Sequence, residues 1–305
     1  MQESDPSNLS LIHFPISWFS ATVAKEYDPF DLRPYTESPS PLANVVNSHA
    51  MRPQDYVDLY QLEDTFWWFA GMRDITAALL DPILANRDQS LRVLDAGCGT
   101  GANLDWLRRY AAEENIIGID LSAQALGFCQ RRGKSLLVNG SITKLPFAEA
   151  SFDLVTSFDV LIYPPGADAD NEALREMHRV LKPGGICFVR AAAYQWLYGS
   201  HDKATNGLRR YGLRALTTKV EGAKLRVLRS TYLNSVLFPA AMLHRLVIRR
   251  TASLRDSDVK PFSRRSAWIN KPLSRLLSAE ASLLKLRHSK LPFGLSAICI
   301  ARKQR

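Results

Sequence analysis

Val93-Leu-Asp-Ala-Gly-Cys-Gly-Thr-Gly101 decides how the rest of this chain is read. An apolar run ends in an aspartate and then places glycine at every second position. Without a Cβ, those glycines let the backbone take positive φ and approach a ligand closely. A helix predicted from Ala102 would turn its free N–H groups toward the same point. Outward from the loop the chain alternates strand and helix. Strands are predicted at 91–95, 115–120, 135–139, 152–157 and 186–191, and helices at 102–112, 122–132 and 168–181. Lys182-Pro-Gly-Gly185 reads as the stop of the last helix. Leu225–Tyr232 and Leu295–Ala301 add two strands at the sheet edge. The predicted class is α/β, a doubly wound Rossmann-like seven-stranded sheet.

The glycines alone leave the ligand open, because Gly97-x-Gly99-x-x-Ala102 also satisfies a dinucleotide fingerprint. Asp95 and Asp120 separate the readings. A carboxylate just before the first glycine can orient the loop and meet an ammonium group, whereas a pyrophosphate there would be repelled. Asp120 closes the run Ile116-Ile-Gly-Ile-Asp120, where a carboxylate can accept the two hydroxyls of a ribose.

Residues 91–191 resemble the class I S-adenosylmethionine (SAM)-dependent methyltransferases. The resemblance rests on Leu94–Gly101, Leu145-Pro-Phe147, Phe152-Asp-Leu-Val155 and Leu181-Lys-Pro-Gly-Gly185, in that order. It implies that Asp95, Gly97, Cys98, Gly99 and Gly101 hold the methionyl end of SAM. It also implies that Asp120 binds the ribose, with Leu121, Ser141 and Ile142 around the adenine. Phe158 and Asp159 would line the methyl-donor pocket. Tyr163 stands where many relatives carry a histidine. A second resemblance, to a bacterial subset of the family, lies in Glu63-Asp-Thr-Phe-Trp-Trp-Phe69 with Arg73, and in His201-Asp202 with Arg209-Arg210-Tyr211. Gly207 replaces that subset's inner histidine.

Methyl transfer needs in-line placement, and a base only where the acceptor is a hydroxyl or a protonated amine. His201, Asp202 and Tyr163 are the expected catalytic groups. Trp68, Arg73, Tyr194, Arg209, Arg210 and Tyr211 are the expected acceptor-binding groups, Arg209 and Arg210 through carboxylate or phosphate contacts. A dinucleotide-dependent oxidoreductase and a non-catalytic SAM-binding or partner-docking module are the competing readings.

The remaining sequence bounds these readings. Residues 1–50 hold six of the sixteen prolines and are expected to form an extended, poorly ordered arm. Residues 51–90 are expected to be helical, Gln54 to Leu84 in two pieces broken near Gly71. Residues 91–305 then form the SAM-binding domain, which includes a basic helical insertion over 235–290. Cys98, Cys129, Cys187 and Cys299 lie far apart with no metal spacing, so reduced thiols and no metal are expected. No apolar run is long enough to span a bilayer. Net charge is +9, yet residues 201–305 hold 23 Lys and Arg against 5 Asp and Glu. That third is expected to cap the acceptor pocket or to meet an anionic membrane surface peripherally. The expected acceptor is a small or lipid-linked molecule, the expected location cytoplasmic, and no nucleic-acid module is legible.

Overall fold

The computed structural model describes residues 51–85, 89–248, 270–286 and 289–304. Seven strands form one sheet in the order β3-β2-β1-β4-β5-β7-β6. They are β1 Val93–Ala96, β2 Ile116–Asp120, β3 Leu137–Asn139, β4 Phe152–Phe158, β5 Leu181–Ala192, β6 Leu225–Leu233 and β7 Ser296–Lys303. All run parallel except β7, which lies antiparallel between β5 and β6. The chain reverses its strand order between β1 and β4, which opens a crevice beyond the carboxyl ends of the parallel strands.

Burial on both faces explains why the strands read as continuous apolar runs. Cys187, Val189 and Ala191 of β5 point to one core, together with Leu174 and Met177 of α5 (Ala169–Val180) and Leu216 of α7 (Leu213–Gly222). Ile186 and Phe188 point to the other. That second core is closed by Met72, Ile75 and Leu79 of α2 (Trp67–Leu84), Leu107 of α3 (Ala102–Leu107) and Leu277 of α9 (Asn270–Leu284). Helices α1 (Pro53–Leu62), α4 (Ala123–Arg131), α6 (Ser200–Ala204) and α8 (Phe238–Ile248) complete the described elements.

Several boundaries differ from the sequence reading. The helical break falls at Glu63–Phe66, and α2 runs unbroken through Gly71. A Cβ on Gly71 would stand 2.4 Å from Leu277 Cδ1, so this glycine permits close helix packing and does not end a helix. Helix α3 stops at Leu107, five residues early. Lys182–Gly185 belongs to β5 as its irregular start, where the register with β4 shifts between Phe152 and Leu154. Of the last two strands only β6 is an edge. The 1–50 arm and residues 249–269 of the insertion lie outside the described residues.

Candidate functional site

The crevice holds a cavity of about 880 Å³ that runs from the glycine loop to the amino end of β7. Small-molecule sites span roughly 300–1,000 Å³, so the volume suits a cofactor together with an acceptor.

The loop follows from its glycines. Gly97, Gly99 and Gly101 all take positive φ, and a Cβ on Gly97 would meet Val160 Cγ2 at 2.3 Å. Asp120 fixes the loop: Oδ2 accepts from Gly99 N at 2.9 Å and Oδ1 from Ser122 N at 2.9 Å. Each oxygen keeps a second lone pair for a ribose hydroxyl. Burial raises the Asp120 pKa despite those bonds. Leu121, Ser141 and Ile142 line the adjoining wall, with Ser141 Oγ 2.8 Å from Thr143 Oγ1. Gly97, Cys98, Gly99, Phe158 and Asp159 line the cavity too.

Asp95 and Gly101 stand behind this wall. Asp95 is fully buried; Oδ1 accepts from Thr156 Oγ1 at 2.8 Å and Oδ2 has no partner. Burial pushes its pKa up to about 7, partly offset by the Thr156 bond. Gly101 starts α3 against Cys129, where a Cβ would meet the sulfur at 2.9 Å.

The segment joining α1 and α2 walls the loop from above. Glu63 lines the cavity and accepts a hydrogen bond from Thr100 Oγ1. Burial pushes its pKa up to about 7, against the Thr100 bond and the Arg132 charge. Arg132 staples the segment to the loop: Nε donates to Thr100 O at 2.9 Å, Nη1 to Asp64 at 2.8 Å and Nη2 to Tyr60 O at 3.3 Å. Its guanidinium also lies 4.6 Å over the Tyr60 ring. Tyr56 of α1 is buried above Asp120 and Ser122.

The expected acceptor groups divide. Trp68, Arg73, Tyr163, His201, Asp202 and Arg210 line the cavity. Arg73 Nη2 donates to Glu63 O at 2.9 Å. Tyr194, Arg209 and Tyr211 do not, which corrects their expected role. Tyr194 stacks on Tyr232 with ring centroids 4.9 Å apart. Arg209 donates to Pro164 O and Gly166 O, and the buried Tyr211 hydroxyl to Asp170 at 2.8 Å. Asp202 is corrected as a base: it is 3% exposed, takes Arg210 Nε on Oδ1 at 2.7 Å and caps Gly199 N with Oδ2 at 2.8 Å. Burial drives the Tyr163 pKa above its ordinary value, so the phenol keeps its proton at neutral pH. His201 lines the cavity from α6.

Sequence reasoning passed over Arg190, Glu63 and Asn234, all of which line the cavity. Arg190 sits inside an apolar strand, and Asn234 follows β6, whose neighbours in the sheet come from distant sequence. Asn234 takes a positive φ, and its buried Oδ1 has no partner.

A glycine loop, a ribose-type carboxylate and a sheet with one antiparallel strand define a nucleotide-cofactor α/β domain. Residues 94–189 match the methyltransferase domain family model. A probable methyltransferase of Aspergillus luteorubrus is 36% identical over 134 residues, 40% of this chain and 46% of that protein. Malonyl-[acyl-carrier protein] O-methyltransferase 1 of Coxiella burnetii is 31% identical over 139 residues, 44% of this chain and 47% of that protein. The chain thus spans about half the length of the curated relatives it matches. The structure of Haemonchus contortus phosphoethanolamine N-methyltransferase 2 with S-adenosyl-L-methionine shares the fold. Its TM-score is 0.54 at 15% identity, covering 88% of this chain and 61% of that one.

Proposed function

We propose that the chain is a SAM-dependent methyltransferase that methylates oxygen or nitrogen of a small-molecule or lipid- or glycan-linked acceptor. One observation carries the cofactor assignment: Asp120 lines the cavity at the glycine loop with a lone pair left on each oxygen, beside Glu63. Two acids lining a glycine turn suit a ligand bearing ammonium and sulfonium charge and repel a pyrophosphate. That disfavours the dinucleotide oxidoreductase. Asp120 would hold the ribose and Leu121, Ser141 and Ile142 the adenine. SAM, when bound, supplies an activated methyl group on a good leaving group. The protein's part is to position the acceptor at Phe158 and Asp159 and to exclude water. Among the described residues no group of side chains could hold a metal ion. The Coxiella relative's name specifies an oxygen acceptor, which favours oxygen here.

The proposed location is cytoplasmic, with the basic residues 201–305 facing anionic lipid. No described helix is long and apolar enough to cross a membrane. Flotation with phosphatidylglycerol vesicles at low and high salt tests this surface, and salt-insensitive or absent binding removes it.

Calorimetric titration with S-adenosylhomocysteine, beside NAD(H) and NADP(H), tests the cofactor. Micromolar binding of the homocysteine compound alone is expected. Binding of a dinucleotide instead would restore the oxidoreductase, and no binding by folded protein would favour the docking module.

A further inference from the structure

Arg190 lines the cavity. β5 sets it in register with Phe158 of β4, one strand from β1 and its loop. It is 7% exposed in an otherwise apolar run, and a guanidinium is costly to bury without a use for its charge. Its plane is fixed. The Phe158 and Trp68 ring centroids lie 5.1 and 5.5 Å away. Asp159 Oδ2 accepts from Nε at 2.8 Å and lies 2.7 Å from Nη2. Asp159 itself holds φ 60°, with its N–H bonded to Arg190 O at 2.9 Å.

This arrangement spends one edge of the fork and keeps the other. No described residue accepts from Arg190 Nη1, and Arg190 lines the cavity. Arg210 is built the same way. Its Nε and Nη1 are held by Asp202 Oδ1 and Ala193 O, at 2.7 and 3.2 Å, and the residue lines the same cavity. Two of the lining carboxylates, Asp159 and Asp202, are therefore each taken up by an arginine. Trp67, Met72, Ala241 and Leu295 add apolar lining to the same cavity. Preorganised guanidinium donors beside apolar side chains match an anionic oxygen group on an apolar body.

We propose that the acceptor is a carboxylic acid with an apolar chain, and that Arg190 binds its carboxylate through Nη1. The proposal rests on the methyltransferase reading. A carboxylate oxygen supplies its own lone pair. The new O–CH3 bond forms as the S–CH3 bond breaks, the bonding pair stays on sulfur, and no proton moves. No base is required, consistent with Asp202 locked in its ion pair and Tyr163 held protonated.

The test uses protein saturated with S-adenosylhomocysteine and two probes of equal chain length, octanoate and octan-1-ol, titrated calorimetrically. The intact protein binds octanoate ~10-fold or more tightly than the alcohol, the scale of one charge-assisted hydrogen bond. Arg190→Met loses that preference. The double variant Arg190→Met/Asp159→Asn loses it as well, without leaving a carboxylate unpaired. Arg190→Met keeps its S-adenosylhomocysteine affinity. Equal binding of the two probes, no octanoate binding, or a preference that survives in both variants overturns the proposal. So does loss of S-adenosylhomocysteine affinity in folded Arg190→Met, which would assign Arg190 to the cofactor. Failure of the intact protein to bind S-adenosylhomocysteine is a separate result, and refutes the methyltransferase reading itself.

Discussion

Gly71 and Leu277 offer a quantitative test of how α2 is seated. A Cβ on Gly71 would stand 2.4 Å from Leu277 Cδ1 and 2.6 Å from its Cβ. Carbon atoms rest about 3.5–4.0 Å apart, so Gly71→Ala demands a shift of roughly 1 Å. Side-chain rotation can move Cδ1, but Cβ moves only with the α9 backbone. Overpacking of this kind costs about 1–3 kcal/mol, and alanine regains about 1 kcal/mol of helix propensity. The expected net loss is about 0–2 kcal/mol, or up to about 8 °C in Tm for a domain of this size. Leu277 is fully buried, and Leu277→Ala alone should cost about 2–5 kcal/mol. In the double variant the new methyl group occupies space that Leu277 vacates, so the losses should sum to about 1 kcal/mol less than additive. Urea unfolding of the four proteins measures the cycle. Additivity within about 0.5 kcal/mol, the tolerance for independent sites, would refute close packing as the reason for this glycine.

Three further outcomes are expected. Asp120→Ala should weaken S-adenosylhomocysteine binding by about 1–3 kcal/mol in calorimetry, and an unchanged affinity would remove Asp120 from the cofactor site. Glu63 has a folded pKa of about 7, above its unfolded value of about 4.3. Its stabilising contribution is therefore complete below about pH 4.3 and is lost as pH rises through about 7. Glu63→Gln should lack that loss, so between pH 5 and 8 its stability relative to the parent should rise by up to about 4 kcal/mol, read from urea midpoints; parallel profiles would contradict the assignment. Asp202→Ala leaves Arg210 buried without its partner and should cost about 3–5 kcal/mol of stability, read as a lowered urea midpoint. A fully stable variant without activity would instead return Asp202 to the role of base.

The frame of the site was legible because it is local. Val93–Gly101 holds a strand, a turn and a helix start in nine residues, and Asp120 follows one helix and one strand later. The alternation of β5 between two cores gives the buried strand its unbroken apolar run. What escaped depends on distant partners. Arg209 and Arg210 are neighbours of one type, yet Arg210 faces the cavity beside Asp202 while Arg209 reaches the carbonyls of Pro164 and Gly166. Nothing local separates them. Arg190 looks like an interruption of a core strand until Trp68, 122 positions earlier, lies across it. Gly71 looks like a helix break until α9 is placed against it.

The position of β7 bears on how the molecule is made. A ribosome delivers β6 before β7, yet among the described residues β6 is paired with β7 alone and β5 receives its outer neighbour from β7 as well. Until residue 303 has emerged, the Ile186–Ala192 flank of β5 is an open apolar edge and β6 has nothing to join. The sheet is therefore completed from the inside by its last-synthesised strand. The growing chain needs protection at that edge for as long as the intervening residues take to be translated.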